Sequence, residues 1–347
     1  MRIVIKYIQK KSIDYTRMGE ILAVSEKTNQ FCNRGPAKYL LEKKIASLLE
    51  LPDNKIVVCT ANGTLALHAL FLFYRKRGVR KFSSPSFTFP SCNVGGFKTK
   101  IVDISLDNYS FGDLDKITEE SDCLIITNLF GTYPNNLVEI IEECNKRGKK
   151  VILDNASSPL TKISGKNICA FGDASFGSLH HTKSLGFGEG GFIVIDEEHE
   201  EEINRILGFG FTGKTIERIS DINSSNFKIS DVSAAAILQH IEKYDIKKHI
   251  ENQTKIIESL EHVSGLKVFN YNQGVFYGNM PIIYDKPMST IFFRDNYIEA
   301  QKYYYPIKKH KNSLQLYSRM INLPMHAAMS DFEIDTIIKA VRNSVNE

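Results

Sequence analysis

Nowhere in the 347-residue chain do about 18 apolar residues run consecutively, so no membrane-spanning helix and no membrane partner are expected. Blocks of Lys and Arg are also missing. The formal net charge is only +4, and Lys308-Lys309-His310-Lys311 reads as a solvated surface segment, which argues against a nucleic-acid partner. The six cysteines (Cys32, Cys59, Cys92, Cys123, Cys144 and Cys169) show no CxxC spacing, so neither a disulfide framework nor a zinc site is implied. The opening residues Met1 to Lys11 hold too short an apolar stretch for a secretory leader, and charges interrupt it. A cytoplasmic location is the expectation. Internal repeats and low-complexity tracts are absent as well.

What is present is an ordinary globular composition, 42% hydrophobic and 24% charged, on a chain long enough for a large core. Apolar β-prone runs alternate with helical patterns from about residue 35 to 195. Lys55–Cys59, Lys98–Ile104, Asp122–Leu129, Lys149–Asp154, Ser175–Leu179 and Gly191–Ile195 read as strands. Thr64–Arg75, Leu137–Lys146 and Glu197–Leu207 read as helices. This pattern predicts an α/β fold with a mostly parallel central sheet covered by helices on both faces. Residues 208–226 look irregular, and one long helix is expected from Ser230 to about Leu260. Beyond it, Leu266–Phe269, Met280–Tyr284 and Ser289–Phe293 read as strands and Asp331–Val345 as a closing helix. The expected division is a large α/β domain over 1–240 and a small α+β domain over 241–347.

Chemistry concentrates in Ser178-Leu-His-His-Thr-Lys183-Ser-Leu-Gly-Phe-Gly188-Glu-Gly-Gly191. A lysine between a β-prone segment and a glycine-rich turn suits a pyridoxal phosphate (PLP) enzyme, because its amine can form a Schiff base with the cofactor aldehyde. Asp154, 29 residues earlier at the end of an apolar strand, is placed to pair with the cofactor's pyridine nitrogen, although aspartate also ends strands for ordinary reasons. Asn62-Gly63-Thr64 stands at a strand-to-helix junction, where free amides and the helix dipole can hold a phosphate as well as cap the helix. Ser178 offers a further hydroxyl. Phe89, in Pro85-Ser-Phe-Thr-Phe89, could stack on a flat ring, with Phe87 as its competitor. Two GxGxxG strings, from Gly186 and from Gly208, do not follow a strand and open a helix, so neither supports a dinucleotide site. His180 and His181 lack companions at metal spacing; they read as pocket wall or packing, and no metal is expected.

Taken in order, these motifs resemble the DegT/DnrJ/EryC1/StrS family of PLP-dependent nucleotide-sugar aminotransferases over nearly the whole chain. Gly35-Pro36 with Leu41-Glu42, Asn62 to Leu70, Pro85 to Phe89, Asp154-Asn-Ala-Ser157, Ser178 to Gly191, Asn226-Phe-Lys-Ile-Ser230 with Ala234-Ala-Ala, and Leu323-Pro-Met-His326 carry the likeness. It implies the fold-type I (aspartate aminotransferase-like) architecture. Lys183 would be the Schiff-base lysine and proton shuttle, and Asp154 the partner of the pyridine nitrogen. Phe89 would be the stacking ring, and Asn62, Gly63, Thr64 and Ser178 the phosphate cradle. Ser157 would lie where the family usually has Gln or His near the cofactor's O3′. Asn226 would reach the phosphate of a neighbouring subunit's cofactor, which implies a homodimer with shared active sites.

The resemblance further implies a cycle through the pyridoxamine phosphate form. It would move an amino group from L-glutamate to a nucleotide-linked 4-keto-6-deoxyhexose for bacterial surface-polysaccharide sugars, with C4 amination and a dTDP carrier. A 3-keto substrate or a UDP or GDP carrier are the alternatives. A related branch with histidine in place of the lysine dehydrates sugars instead; Lys183 argues for transamination.

Overall fold

Aliphatic runs without polar interruption can bury both faces only in a sheet clad on two sides, and that arrangement dominates the computed structural model, which describes residues 4–210, 223–270 and 272–345. Strands β1 (Lys55–Thr60), β2 (Phe82–Pro85), β3 (Lys100–Val102), β4 (Cys123–Thr127) and β5 (Lys150–Asp154) belong to one seven-stranded sheet. A separate small hairpin, β6 (Lys162–Ile163) and β7 (Lys166–Asn167), precedes the last two members, β8 (Ala174–Ser178) and β9 (Gly191–Asp196). The order is β1-β9-β8-β5-β4-β2-β3. Strands β3, β2, β4, β5 and β8 run parallel, whereas β9 is antiparallel to both β8 and β1. The mostly parallel sheet expected from the sequence is therefore present, with one reversed strand that makes β8 and β9 a hairpin.

Side chains on the central strands alternate between two apolar layers, as a period of two requires. Leu124, Ile126, Val151 and Leu153 enter one layer with residues of α1 (Tyr15–Thr28) and α2 (Pro36–Leu48). Cys123, Ile125 and Ile152 enter the other with α3 (Gly63–Lys76). The cladding is completed by α4 (Leu114–Glu120), α5 (Leu137–Lys146) and α7 (Asp231–Lys243) on the first face, and by α6 (Glu200–Leu207) on the second. The α2 start is capped across the fold. Asp231 accepts from the Ala37 and Lys38 amides at 2.9 and 3.2 Å, and from Ser25 Oγ at 2.5 Å. This ties the Gly35-Pro36 motif to the start of α7 and satisfies two of the amides that a helix N-terminus leaves free.

Farther along, α8 (Ile246–Leu260) leads to β10 (Leu266–Val268) and β11 (Met280–Tyr284), then α9 (Ile291–Asp295), α10 (Lys311–Arg319), β12 (Met320–Leu323) and α11 (Asp331–Ser344). The strands form an antiparallel sheet in the order β10-β11-β12 with a third apolar cluster of its own. Asp103, just past β3, holds this part to the large sheet by accepting from the Asn312 and Ser313 amides at the start of α10.

Two expectations are corrected here. The single helix over 230–260 is two, α7 and α8, broken where Tyr244 turns extended and the Asp245 side chain accepts from Lys248 N to start a new N-terminus. Ser289–Phe293 is not a strand: its second half is the one-and-a-half-turn helix α9, with Phe293 buried and Ile291 facing out. The β-branched and aromatic run favoured a strand locally, but packing decided otherwise. Most of the segment read as irregular over 208–226, including the end of the second GxGxxG string, lies outside the described residues.

Candidate active site

The site forms along the carboxyl ends of β1, β5 and β8, where a parallel sheet leaves a crevice. Asp154 is the last residue of β5, 5% exposed, paired in register with Thr127 of β4 and Phe176 of β8. Its Oδ1 accepts from the Ala156 amide at 3.0 Å. Burial pushes the carboxyl up to about 6, while that amide and the positive charge of Lys183 pull the other way. Lys183 sits on the loop joining β8 to β9, its amine pushed below the ordinary lysine range by burial and held up in part by Asp154. A lowered amine is more often neutral at working pH and so more nucleophilic. The two groups form an acid–amine couple, one at the end of β5 and the other on the loop that follows the neighbouring β8.

The lysine loop is pinned by its own backbone. Leu179 N donates to Gly190 O, His181 N to Gly188 O, Lys183 N to His180 O and Gly186 N to Lys183 O, all between 2.8 and 2.9 Å. Gly186 is needed because a Cβ there would overlap the His180 carbonyl oxygen and the Leu179 backbone. Gly186→Ala should therefore destabilise the fold by about 1–3 kcal/mol, the usual cost of overpacking. A urea midpoint equal to that of the parent protein would contradict this. His180 and His181 behave as wall: His180 Nδ1 meets Thr182 Oγ1 at 2.9 Å, and the His181 ring packs edge-on against Phe187.

Opposite this loop, α3 begins. The Asn62 side chain caps it, accepting from Leu65 N at 3.0 Å, and Gly63 is its first residue. The fit against β8 is close: a Cβ on Gly63 would stand 3.2 Å from Ser178 Cβ and 3.3 Å from Gly177 O. Asn62, Gly63, Thr64 and Ser178 are thus brought to one place, at the positive end of a 14-residue helix.

Phe89 and Phe87 separate cleanly. Phe87 is 0% exposed and belongs to the core; Phe89 is 53% exposed at the start of a short 3-10 turn, an aromatic face left open. Both rings meet Tyr304 edge-on, at 6.3 and 6.2 Å between centroids. Tyr304 also stacks parallel on Phe130 at 5.6 Å and reaches Ser157 Oγ with its hydroxyl at 3.4 Å. Burial pushes its phenol up to about 12, Ser157 pulls it down, and Asp154 raises it. Tyr304 carries no motif of its own in the sequence. The run Tyr303-Tyr-Tyr305 was the available signal, but what Tyr304 touches lies more than 140 residues away. Asn226 is exposed, its Oδ1 accepting from Lys228 Nζ at 2.6 Å, on a segment whose neighbours pair with Thr60 and Ala61 beside the phosphate-side turn.

Pyridoxal phosphate fits this constellation. A buried carboxyl that gains from a cationic partner, an amine-bearing loop one strand away, an open aromatic face and a glycine-started helix N-terminus match its pyridine, aldehyde, ring and phosphate in turn. Together with the sheet they define a PLP-dependent enzyme of fold-type I, the aspartate aminotransferase architecture.

Comparison with known proteins narrows the class. The profile of the DegT/DnrJ/EryC1/StrS aminotransferase family matches residues 12–342, and the chain belongs to that family. It is a PLP-dependent sugar aminotransferase. It is 26% identical to the dTDP-4-amino-4,6-dideoxy-D-glucose transaminase of Shigella dysenteriae, over 92% of this chain and 94% of that one. To the GDP-perosamine synthase of Escherichia coli O157:H7 it is 25% identical, over 81% and 83%. Its fold superposes on the crystal structure of a putative PLP-dependent aminotransferase from Bacillus cereus ATCC 10987 with a TM-score of 0.83 at 22% identity, covering 99% of this chain and 100% of that one. Among the described residues, no helix is long and apolar enough to cross a membrane.

Proposed function

We propose that this enzyme transfers the amino group of L-glutamate to C4 of a dTDP-linked 4-keto-6-deoxyhexose, making an aminosugar for a surface polysaccharide. The near full-length likeness to the Shigella transaminase supports the carrier and the carbon. The buried Asp154–Lys183 couple is the single observation that supports the chemistry. Likeness to the GDP-perosamine synthase makes a GDP-linked sugar the second reading.

PLP supplies an electron sink and a temporary carrier for nitrogen when bound. The chain's own residues do the rest. Lys183 would hold the cofactor through its amine, and that amine would move a proton at the donor Cα and later at the sugar carbon. Asp154 would hold the proton on the pyridine nitrogen; a cation opposite it would draw its carboxyl back below about 6. Asn62, Gly63, Thr64 and Ser178 would bind the phosphate, and Phe89 would cover the ring. Ser157 and Tyr304 present hydroxyls beside Asp154. Asn226, exposed and adjacent to the phosphate-side turn, is suited to a second subunit's site, and on this reading the working unit is a homodimer.

The test offers purified enzyme, PLP and glutamate a panel of dTDP-, UDP- and GDP-linked 4-keto and 3-keto sugars, with mass spectrometry of the products and measurement of 2-oxoglutarate. Amination of the dTDP-4-keto sugar with matching 2-oxoglutarate is the expected result. Loss of water from the sugar without 2-oxoglutarate would replace transamination by dehydration.

A further inference from the structure

We propose that Lys11 is a built-in cation that sets the loop carrying Lys183, a positioning residue for the reaction. Its ammonium donates to the carbonyl oxygens of His181, Lys183 and Gly186 at 2.7, 2.6 and 2.5 Å. An ammonium has three N–H donors, and all three are taken by one loop. One acceptor is the carbonyl of the reactive lysine itself. The other two lie two residues before and three after it, so a single charge fixes the turn from both sides.

The position is a costly one. Burial pulls the Lys11 amine down to about 8, and carbonyls so placed favour the charged form against that pull. The segment bearing Lys11 is fastened at each end. Ile5 exchanges backbone hydrogen bonds with Tyr297 and Glu299, and Asp14 N donates to the Gln239 side chain of α7 while its carboxylate meets Lys243. Residues 5–14 therefore form a strap that runs from the C-terminal part of the fold to α7 and grips the lysine loop midway.

Three converging carbonyls around one ammonium are also a receptor for a free small cation once the side chain is cut back. The inference rests on Lys183 being the cofactor-binding lysine, and the experiment keeps the two apart. Cofactor-free Lys11→Ala is mixed with PLP, and the visible band of the lysine-bound cofactor is followed in methylammonium chloride or in choline chloride of equal ionic strength. In choline the band should form about tenfold more slowly than in the parent protein, the scale of one charge-assisted hydrogen bond, and kcat should fall more than KM for glutamate. Methylammonium should restore both. Lys11→Met, which keeps the apolar stem and removes the charge, should behave alike.

Parental rates in both variants would overturn the proposal, as would equal behaviour in the two salts. Failure of both variants to fold would also overturn it, by making the contact a stabiliser of the whole chain. Absence of the band in the parent protein, or its persistence in Lys183→Ala, would instead sink the assignment of the reactive lysine.

Discussion

Lys183→Ala should lower kcat for glutamate-dependent amination by about four orders of magnitude or more, the scale of losing a nucleophile together with its proton-transfer role. The fold survives, because the side chain contributes a costly buried amine and its loop is held by backbone hydrogen bonds, none of which the substitution touches. PLP should still bind through the helix N-terminus, Phe89 and Asp154, but without a covalent link. Borohydride reduction followed by peptide mapping makes the contrast direct. The parent protein should carry the label on the peptide containing Lys183 and the variant none. Turnover within tenfold of the parent, or a label on another lysine, would refute the role given to this residue.

The second large effect is at Asp154, where stability and activity move in opposite directions. Its folded carboxyl lies near 6, above the ordinary value of 3.8, because of burial. A carboxyl raised on folding contributes stability that is fully present below about pH 3.8 and is lost as the pH rises through about 6. At pH 8 the cofactor-free protein therefore bears the cost of a buried charge, at most about 3 kcal/mol for a shift of some two units. Cofactor-free Asp154→Asn should melt as high as the parent or higher at pH 8, with the difference shrinking towards pH 5. With PLP bound the order reverses, since asparagine cannot neutralise a protonated pyridine. Turnover should drop by about 10²–10³, as for loss of a preorganised electrostatic contact. Calorimetry of both forms at the two pH values checks this, and a cofactor-free variant less stable than the parent at pH 8 would contradict it.

Much of the architecture was legible because burial leaves a periodic trace. Val151-Ile-Leu153 is short and rich in β-branched side chains, as a strand covered on both faces requires, and Leu137–Lys146 carries an amphipathic period whose ends match α5. The failures occurred where local preference and tertiary packing disagree. Apolar spacing continues through Tyr244, so the period alone gave no break, although Asp245 carried the cap signal that starts α8. In Ser289–Phe293 the side chains favour strand, but the chain needs only Phe293 inside, and a short helix provides that. The reversal of β9 has no signature in its composition at all.

The candidate site was legible where a motif is local, as at Asn62-Gly63-Thr64 and around Lys183. The choice between Phe87 and Phe89 needed coordinates, since the two residues differ in surroundings and not in type. Tyr304 and Lys11 act on partners more than 140 residues away, a relation that spacing along one sequence does not express.

The hairpin made by β8 and the reversed β9 has a consequence for how the reaction is staged. A ribbon whose two strands are each paired with further strands of the sheet keeps both ends of its connecting loop in place. Fastened at its ends by the paired strands and at its middle by Lys11, the peptide beneath Lys183 serves as a fixed mount, and the reacting nitrogen travels on its own methylene arm. Amino donor and sugar acceptor must then visit one stationary workplace in succession, each vacating it before the next arrives.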